Sequence, residues 1–138
     1  MLVDVFSPQK RSSIMAAIKG KNTKPELVVR RLVWGLGFRY RLHGRNLPGR
    51  PDLVFPGRRK VIFVHGCFWH RHDGCRLAYK PSTRAEFWQE KFDLNRQRDL
   101  DAVNALEDLG WTVLIIWECQ TRRDIKLLEA MVMEFIEK

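Results

Sequence analysis

Seven residues near the C-terminus, Trp111-Thr112-Val113-Leu114-Ile115-Ile116-Trp117, form a nearly all-apolar run that follows Gly110. A short run of this kind reads as a β-strand buried on both faces. Such a strand needs helices packed above and below it, which points to an α/β chain.

The remaining segments supply those layers. Thr23-Lys24-Pro25-Glu26 is a capping-box pattern with proline close to the helix start. The helix it opens carries Leu27, Val28, Leu32 and Leu36 and stops at Gly35 to Gly37. Phe38-Arg39-Tyr40-Arg41-Leu42 alternates with period two and reads as a half-buried strand. Pro48, Gly49 and Pro51 break the chain. Asp52-Leu53-Val54-Phe55, a Pro56-Gly57 turn and Lys60-Val61-Ile62-Phe63-Val64 then predict a hairpin. Residues 65–83 form a loop dense in His, Cys and aromatic side chains. Thr83-Arg84-Ala85-Glu86 is a second capping box. It opens a long helix through Trp88, Phe92, Leu100, Val103 and Leu106, closed by Gly110. A last amphipathic helix carries Ile125, Leu128, Val132, Phe135 and Ile136. The order α-β-β-β-α-β-α implies a mixed sheet flanked by helices.

At 138 residues the chain has the length of one domain, expected to span 1–138. Its 45% hydrophobic and 11% aromatic content is enough for a core and argues against disorder. Lys plus Arg number 25 against 16 Asp plus Glu, a net charge of +9. That excess suits a polyanionic partner, nucleic acid first and an anionic membrane second. No apolar run approaches the roughly 18 residues of a spanning helix, and no signal-peptide core follows Met1. The expectation is a cytoplasmic protein with no membrane role. Residues 1–22 are basic and short of large apolar groups, with Lys10, Arg11, Lys19 and Lys21. They read either as a solvated helix and linker or as an arm that orders on DNA.

Three cysteines cannot all pair with one another, and in a reducing compartment clustered Cys and His point to metal or redox chemistry. Cys67, His72 and Cys75 lie within nine residues, and Cys119 follows the apolar run. Together they offer the thiolate and imidazole donors of a four-coordinate structural zinc. Zinc would pin the loop to the sheet. The alternative is that Cys119 is a buried small hydrophobe and the others are incidental. His70 is also close enough to Cys67 to stand in place of His72. Whichever histidine completes the shell, His65 and the other remain for hydrogen-bonded structural roles or for catalysis.

Pro51-Asp52 opens one strand of the hairpin and His65 ends the other. An Asp so placed can hold Mg2+, which takes one or two carboxylates, backbone oxygen, waters and substrate phosphate. Many nucleases follow Pro-Asp with an acid-x-Lys pattern on the next strand. Here that place reads Phe63-Val64-His65, with neither acid nor Lys, and on two residues alone Pro-Asp reads first as a turn cap.

A longer series of motifs occurs in order: Leu47-Pro48-Gly49-Arg50-Pro51-Asp52, Val61-Ile62-Phe63-Val64-His65-Gly66-Cys67-Phe68-Trp69-His70, Glu86-Phe87-Trp88, Asn95, Arg98-Asp99, and Gly110-Trp111 through Trp117-Glu118-Cys119. From about Ser7 to Cys119 the chain resembles the very-short-patch repair (Vsr) endonuclease family. The resemblance implies a restriction-endonuclease-like fold with a structural zinc site. The implied activity is a Mg2+-dependent endonuclease that nicks one DNA strand 5′ of the thymine of a T:G mismatch left by deamination of 5-methylcytosine. It implies that Asp52 ligates Mg2+ together with the main-chain oxygen of Val64. Glu26, His65, Asn95 and Asp99 would surround metal-bound waters and the phosphate, with His70 as the proton-transfer residue. Cys67, His72, Cys75 and Cys119 would bind zinc. Phe68, Trp69 and Trp88 would form an aromatic wedge beside the mismatch, with Met15 entering from the other groove. Lys91 and Asn95 fall where the family reads mismatched bases, and Arg11 would contact phosphate. Implied partners are double-stranded DNA with a T:G mismatch, a cytosine-5 methyltransferase and downstream repair proteins, met by a monomer that associates with the nucleoid on DNA. The competing readings are a non-catalytic zinc module that binds distorted DNA, and a nuclease of the same fold with another DNA target.

Overall fold

The computed structural model describes residues 22–138. The expected arm, 1–22, with Arg11 and Met15, lies outside them but for its last residue. Helix α1 spans Lys24–Gly35. Thr23 caps it, its Oγ1 accepting the Glu26 N–H at 3.4 Å. The Glu26 carboxylate reaches one residue further back than a reciprocal capping box requires, accepting the N–H of Asn22 at 3.3 Å. The expected strand at 38–42 narrows to β1, Arg41–Leu42. The period-two alternation holds for the side chains of 38–41, Phe38 and Tyr40 packing on the core while Arg39 and Arg41 stay exposed, but it fails at Leu42, which is exposed.

Strand β2 (Leu53–Phe55) and strand β3 (Lys60–His65) form the predicted hairpin around a 3-10 turn, Pro56–Arg58. The pairing is antiparallel, with Leu53 opposite Ile62 and Val54 opposite Val61. Helix α2 (Ala85–Asp108) crosses back to strand β4 (Thr112–Trp117), which runs parallel to β3. The cap position of α2 falls one residue past Thr83. The N-cap is Arg84, in left-handed backbone at φ 54°, with no side-chain cap bond. A five-residue helix that the sequence pattern does not announce, α3 (Glu118–Arg122), follows β4 directly. Helix α4 (Ile125–Glu137) is the predicted amphipathic helix, capped by Asp124.

The sheet order is β1-β2-β3-β4. Alternation along the strands divides the core into two layers. Leu53, Phe55, Ile62 and Ile116 face α1 and α4 through Val29, Val33, Leu128, Val132 and Ile136. Val54, Val61 and Phe63 face α2 through Leu106, with Ala102, Val113 and Ile115 beside them. Each such fully buried aliphatic side chain contributes roughly 1.5–3 kcal/mol.

The position of β4 corrects the expectation of a strand buried on both faces. Both its faces do meet helices or core residues, but among the described residues it is an edge strand, and only Ile116 is buried. The buried strands are β2, with all three residues buried, and β3, with five of six. An apolar run reports covered faces; it does not report how many neighbours a strand pairs with.

Gly49 sets the approach to the site. Its φ is +73°, and a Cβ there would sit 2.6 Å from the Ala102 Cβ on α2. Only glycine lets the Pro48–Pro51 loop lie this close to α2 and deliver Asp52 to the start of β2.

Candidate catalytic and metal centre

Three groups of ligand-type side chains collect around the C-terminal end of β3. Within each group the donor atoms lie within 4.8 Å of one another.

The first is Glu26, His43 and Asp52. Asp52 Oδ2 accepts the backbone N–H of Val64 at 2.7 Å. Burial pushes the Asp52 carboxyl up to about 7; the Val64 N–H opposes this and the neighbouring Glu26 adds to it. Glu26 is 2% exposed. Its Oε2 receives Arg30 and lies 3.0 Å from His43 Nε2. Two buried carboxylates side by side repel one another, and a divalent cation relieves that repulsion. The donor set therefore fits Mg2+. The sequence by itself assigns His43 no role. The available signal was its rarity: it is one of only four histidines, just past the alternating segment.

The second group is His65, His70 and Asp99. His70 Nδ1 lies 2.6 Å from Asp99 Oδ2. The rings of His65 and His70 stack, with Trp117 edge-on to His65 at 5.4 Å. Burial lowers His65 to about 3, and the neighbouring His70 adds to that. His65 Nδ1 is buried without a hydrogen-bond partner. Asn95, one turn before Asp99 on α2, donates its side-chain N–H to the Trp69 carbonyl at 3.3 Å.

The third group is Cys67, His72, Cys75 and Cys119. His72 Nδ1 lies 3.6 Å from Cys67 Sγ and 3.4 Å from Cys119 Sγ. Ligands on a tetrahedral zinc with ordinary Zn–S and Zn–N bonds sit about 3.6 Å apart. His72 therefore completes the sulfur set, and His70, held by Asp99, does not. The Cys67 thiol is pushed up to about 12 by burial, with Cys119 and Cys75 alongside. A bound cation would reverse that by stabilising the thiolates. Helix α3 explains how the distant Cys119 arrives: it turns the chain at the end of β4, and the Cys119 N–H then donates to Cys67 Sγ at 3.4 Å.

Between these groups lies an aromatic cluster. Phe68 makes ring contacts with Trp69, Tyr79, Trp88 and Phe92 at 4.9–5.7 Å. Trp69 is buried, at 7% exposure, while Phe68 and Trp88 are half-buried. Arg71 ties the loop together. Its guanidinium donates to the carbonyls of Phe68, Ala78 and Tyr79 and stacks 4.0 Å over Phe92. Lys91 Nζ lies 5.1 Å over the Phe87 ring. Arg71, Arg76, Lys80 and Arg96 line an open cavity of about 650 Å³ beside the cysteines, a surface suited to anions. No helix among the described residues is long and apolar enough to cross a membrane.

Residues 3–76 match the family model described as DNA mismatch endonuclease Vsr. The chain is 44% identical, over 99% of its length and 98% of the relative, to the type II nicking enzyme V.XorIIP of Xanthomonas oryzae pv. oryzae. It is 43% identical to the DNA mismatch endonuclease Vsr of Escherichia coli, over 99% of this chain and 87% of that one. The type II nicking enzyme V.NmeAIP of Neisseria meningitidis is 39% identical over 88% of the chain.

Proposed function

The chain belongs to the Vsr family of DNA mismatch endonucleases, and from that premise we propose that it nicks one strand of duplex DNA 5′ of the thymine in T:G mismatches left by deamination of 5-methylcytosine. One observation carries the reading. A continuous series of contacts runs from Asp52 to the Val64 N–H, along β3 to His65, through the ring stack to His70, and on to Asp99. A carboxylate suited to a metal and an oriented imidazole are thus fixed on one rigid strand end. A module that only bound DNA would need the charge and the aromatics but neither of these.

Bound at Asp52 with Glu26 and the Val64 carbonyl, Mg2+ would stabilise the charge on the attacking and leaving oxygens. The chain's own residues do the rest. Asp99 holds His70 by Nδ1, so Nε2 is the nitrogen left to exchange a proton at the phosphodiester. His65 supports that ring from behind as a neutral imidazole. The Cys3His set holds zinc and fixes the loop that carries Phe68 to His70. Phe68, Trp69 and Trp88, with Met15, enter the stack beside the mismatch, Phe68 and Trp88 from half-exposed positions and Trp69 by leaving its buried one. A T:G pair costs less to open than a matched one, which gives flat apolar side chains a basis for selection. Lys91 and Asn95 read the mismatched bases, and basic residues including Arg11 contact phosphate. The enzyme works as a monomer on nucleoid DNA, beside a cytosine-5 methyltransferase and ahead of downstream repair proteins.

The test is strand-specific nicking of a labelled panel of T:G, other mismatched and matched duplexes, with Mg2+ or EDTA. Nicking of the T strand of T:G duplexes alone, abolished by EDTA and by Asp52→Asn with binding retained, is the expected result. Equal cleavage of matched duplexes would point to the same chemistry with another target. Binding without cleavage under any divalent cation would sink the enzymatic reading.

A further inference from the structure

His43 touches both acids of the first group by different routes. Its backbone N–H donates to the Asp52 carbonyl at 3.0 Å, and its ring nitrogen Nε2 lies 3.0 Å from Glu26 Oε2. It holds this place in left-handed backbone, at φ 48°, which a non-glycine residue adopts at a cost. Arg30 reaches the same Glu26 oxygen, and the Asn22 N–H takes the other. The Glu26 carboxylate, carried on α1, is therefore fixed from three sides. Only His43 among those three partners is also bonded to Asp52. A buried carboxylate with free rotation about its side-chain bonds would turn away from a second carboxylate; the imidazole opposes that turn.

We infer that His43 is a positioning residue for metal binding, holding Glu26 against Asp52 so that the two carboxylates present a ready-made pair to a divalent cation. The inference rests on the metal-dependent reading above. His43 acts through Glu26: its Nε2–H donates to Oε2, and the ring itself stays off the ion. Partners that orient metal ligands in this way are worth about 10–100-fold in affinity. An amide that reaches Oε2 can replace the imidazole, whereas one too short to reach cannot.

The experiment uses the purified full chain with its zinc retained and no DNA, titrated with Mn2+ and read by the electron paramagnetic resonance of the free ion. Asparagine tolerates left-handed backbone better than most residues, so His43→Asn keeps the local conformation while losing the reach. The expected result is at least tenfold weaker Mn2+ binding for His43→Asn and recovery to within about twofold for His43→Gln, with zinc content and metal-free Tm unchanged in both. In a Glu26→Gln background, His43→Asn should weaken binding no further, because the partner it positions is already gone. Wild-type affinity in His43→Asn, or a further loss in the Glu26→Gln background, overturns the inference. So does His43→Gln binding as weakly as His43→Asn, which would make the imidazole itself a ligand. If Asp52→Asn leaves wild-type Mn2+ binding unchanged, the metal reading falls with it. If Asp52→Asn abolishes binding and His43→Asn does not, the inference alone fails.

Discussion

The imidazoles of His65 and His70 lie face to face, their centroids 3.8 Å apart and their planes 7° from parallel. Two rings this close cannot both carry charge without repulsion, and their surroundings separate them. His65 is buried and lowered to about 3, while His70 is half-buried with Asp99 on its Nδ1. In the proposed mechanism His65 supports the stack and His70 transfers the proton.

His70→Ala should lower the nicking rate by roughly 10²–10⁴-fold if His70 transfers a proton in the rate-determining step. Asp99→Asn should give a smaller loss in the same direction, because the ring keeps its place and loses its orienting carboxylate. Single-turnover nicking at saturating DNA measures both. Unchanged mismatch binding and zinc content would locate the loss in chemistry. Release of zinc by His70→Ala would instead make His70 a metal ligand and return its role to the zinc loop.

Acid stability offers a second check, with two opposing contributions. His65 titrates at about 3 when folded against 6.5 when unfolded, so its share of stability is lost as pH falls from about 6.5 to 3. Asp52 runs the other way. Its folded value near 7 lies above the ordinary 3.8, so without bound metal it adds stability as pH falls through that window. The two slopes nearly cancel between pH 4 and 6.5. Asp52→Asn removes one of them, and urea unfolding of that variant should lose up to about 1.4 kcal/mol per pH unit on acidification. A wild-type chain that already shows that slope would mean Asp52 is not raised.

The zinc expectation is checked by metal content. Purified protein should carry about one zinc per chain, retained in EDTA concentrations that stop nicking. Cys119→Ser removes one of four ligands from the far end of the chain, on a site type worth about 10–16 kcal/mol in small peptides. It should release the metal and loosen the 65–83 loop, seen as a lower Tm and faster proteolysis there. Fully active protein free of zinc would refute the assignment.

Trp69 and Trp88 should separate on substitution because they differ in burial. Trp69→Ala empties a buried position and should cost roughly 3–5 kcal/mol of stability. Trp88→Ala removes a half-buried ring, and its main effect should fall on DNA: T:G-duplex binding weakened by about 1–3 kcal/mol, matched-duplex binding by less. Fluorescence anisotropy on both duplexes reads the difference. Equal losses on the two would make the aromatic cluster a structural core and not a wedge.

What the amino-acid sequence determined by itself was local. Alternation placed the hairpin, and helical periodicity placed three of the four helices among the described residues, with the expected cap met at Thr23 and missed at Thr83, since period-two and period-3.6 patterns are carried by neighbouring residues. The Cys67-x4-His72-x2-Cys75 spacing gathered three ligand-type side chains into one loop, and Cys119 lies just past the apolar run that forms β4. Only the tertiary structure decided what depends on distant partners. The strand order put β4 at the sheet edge and β3 in the middle, because hydrogen-bond pairing leaves no trace in an apolar run. The short helix α3 turned Cys119 toward Cys67, 52 residues away, and brought its Sγ within 3.4 Å of His72 Nδ1. His43 gained its place for the same reason. Nothing in its own neighbourhood says that a backbone bond to Asp52 and a ring bond to Glu26 will meet there. Those contacts span 9 and 17 residues, and folding alone closes them.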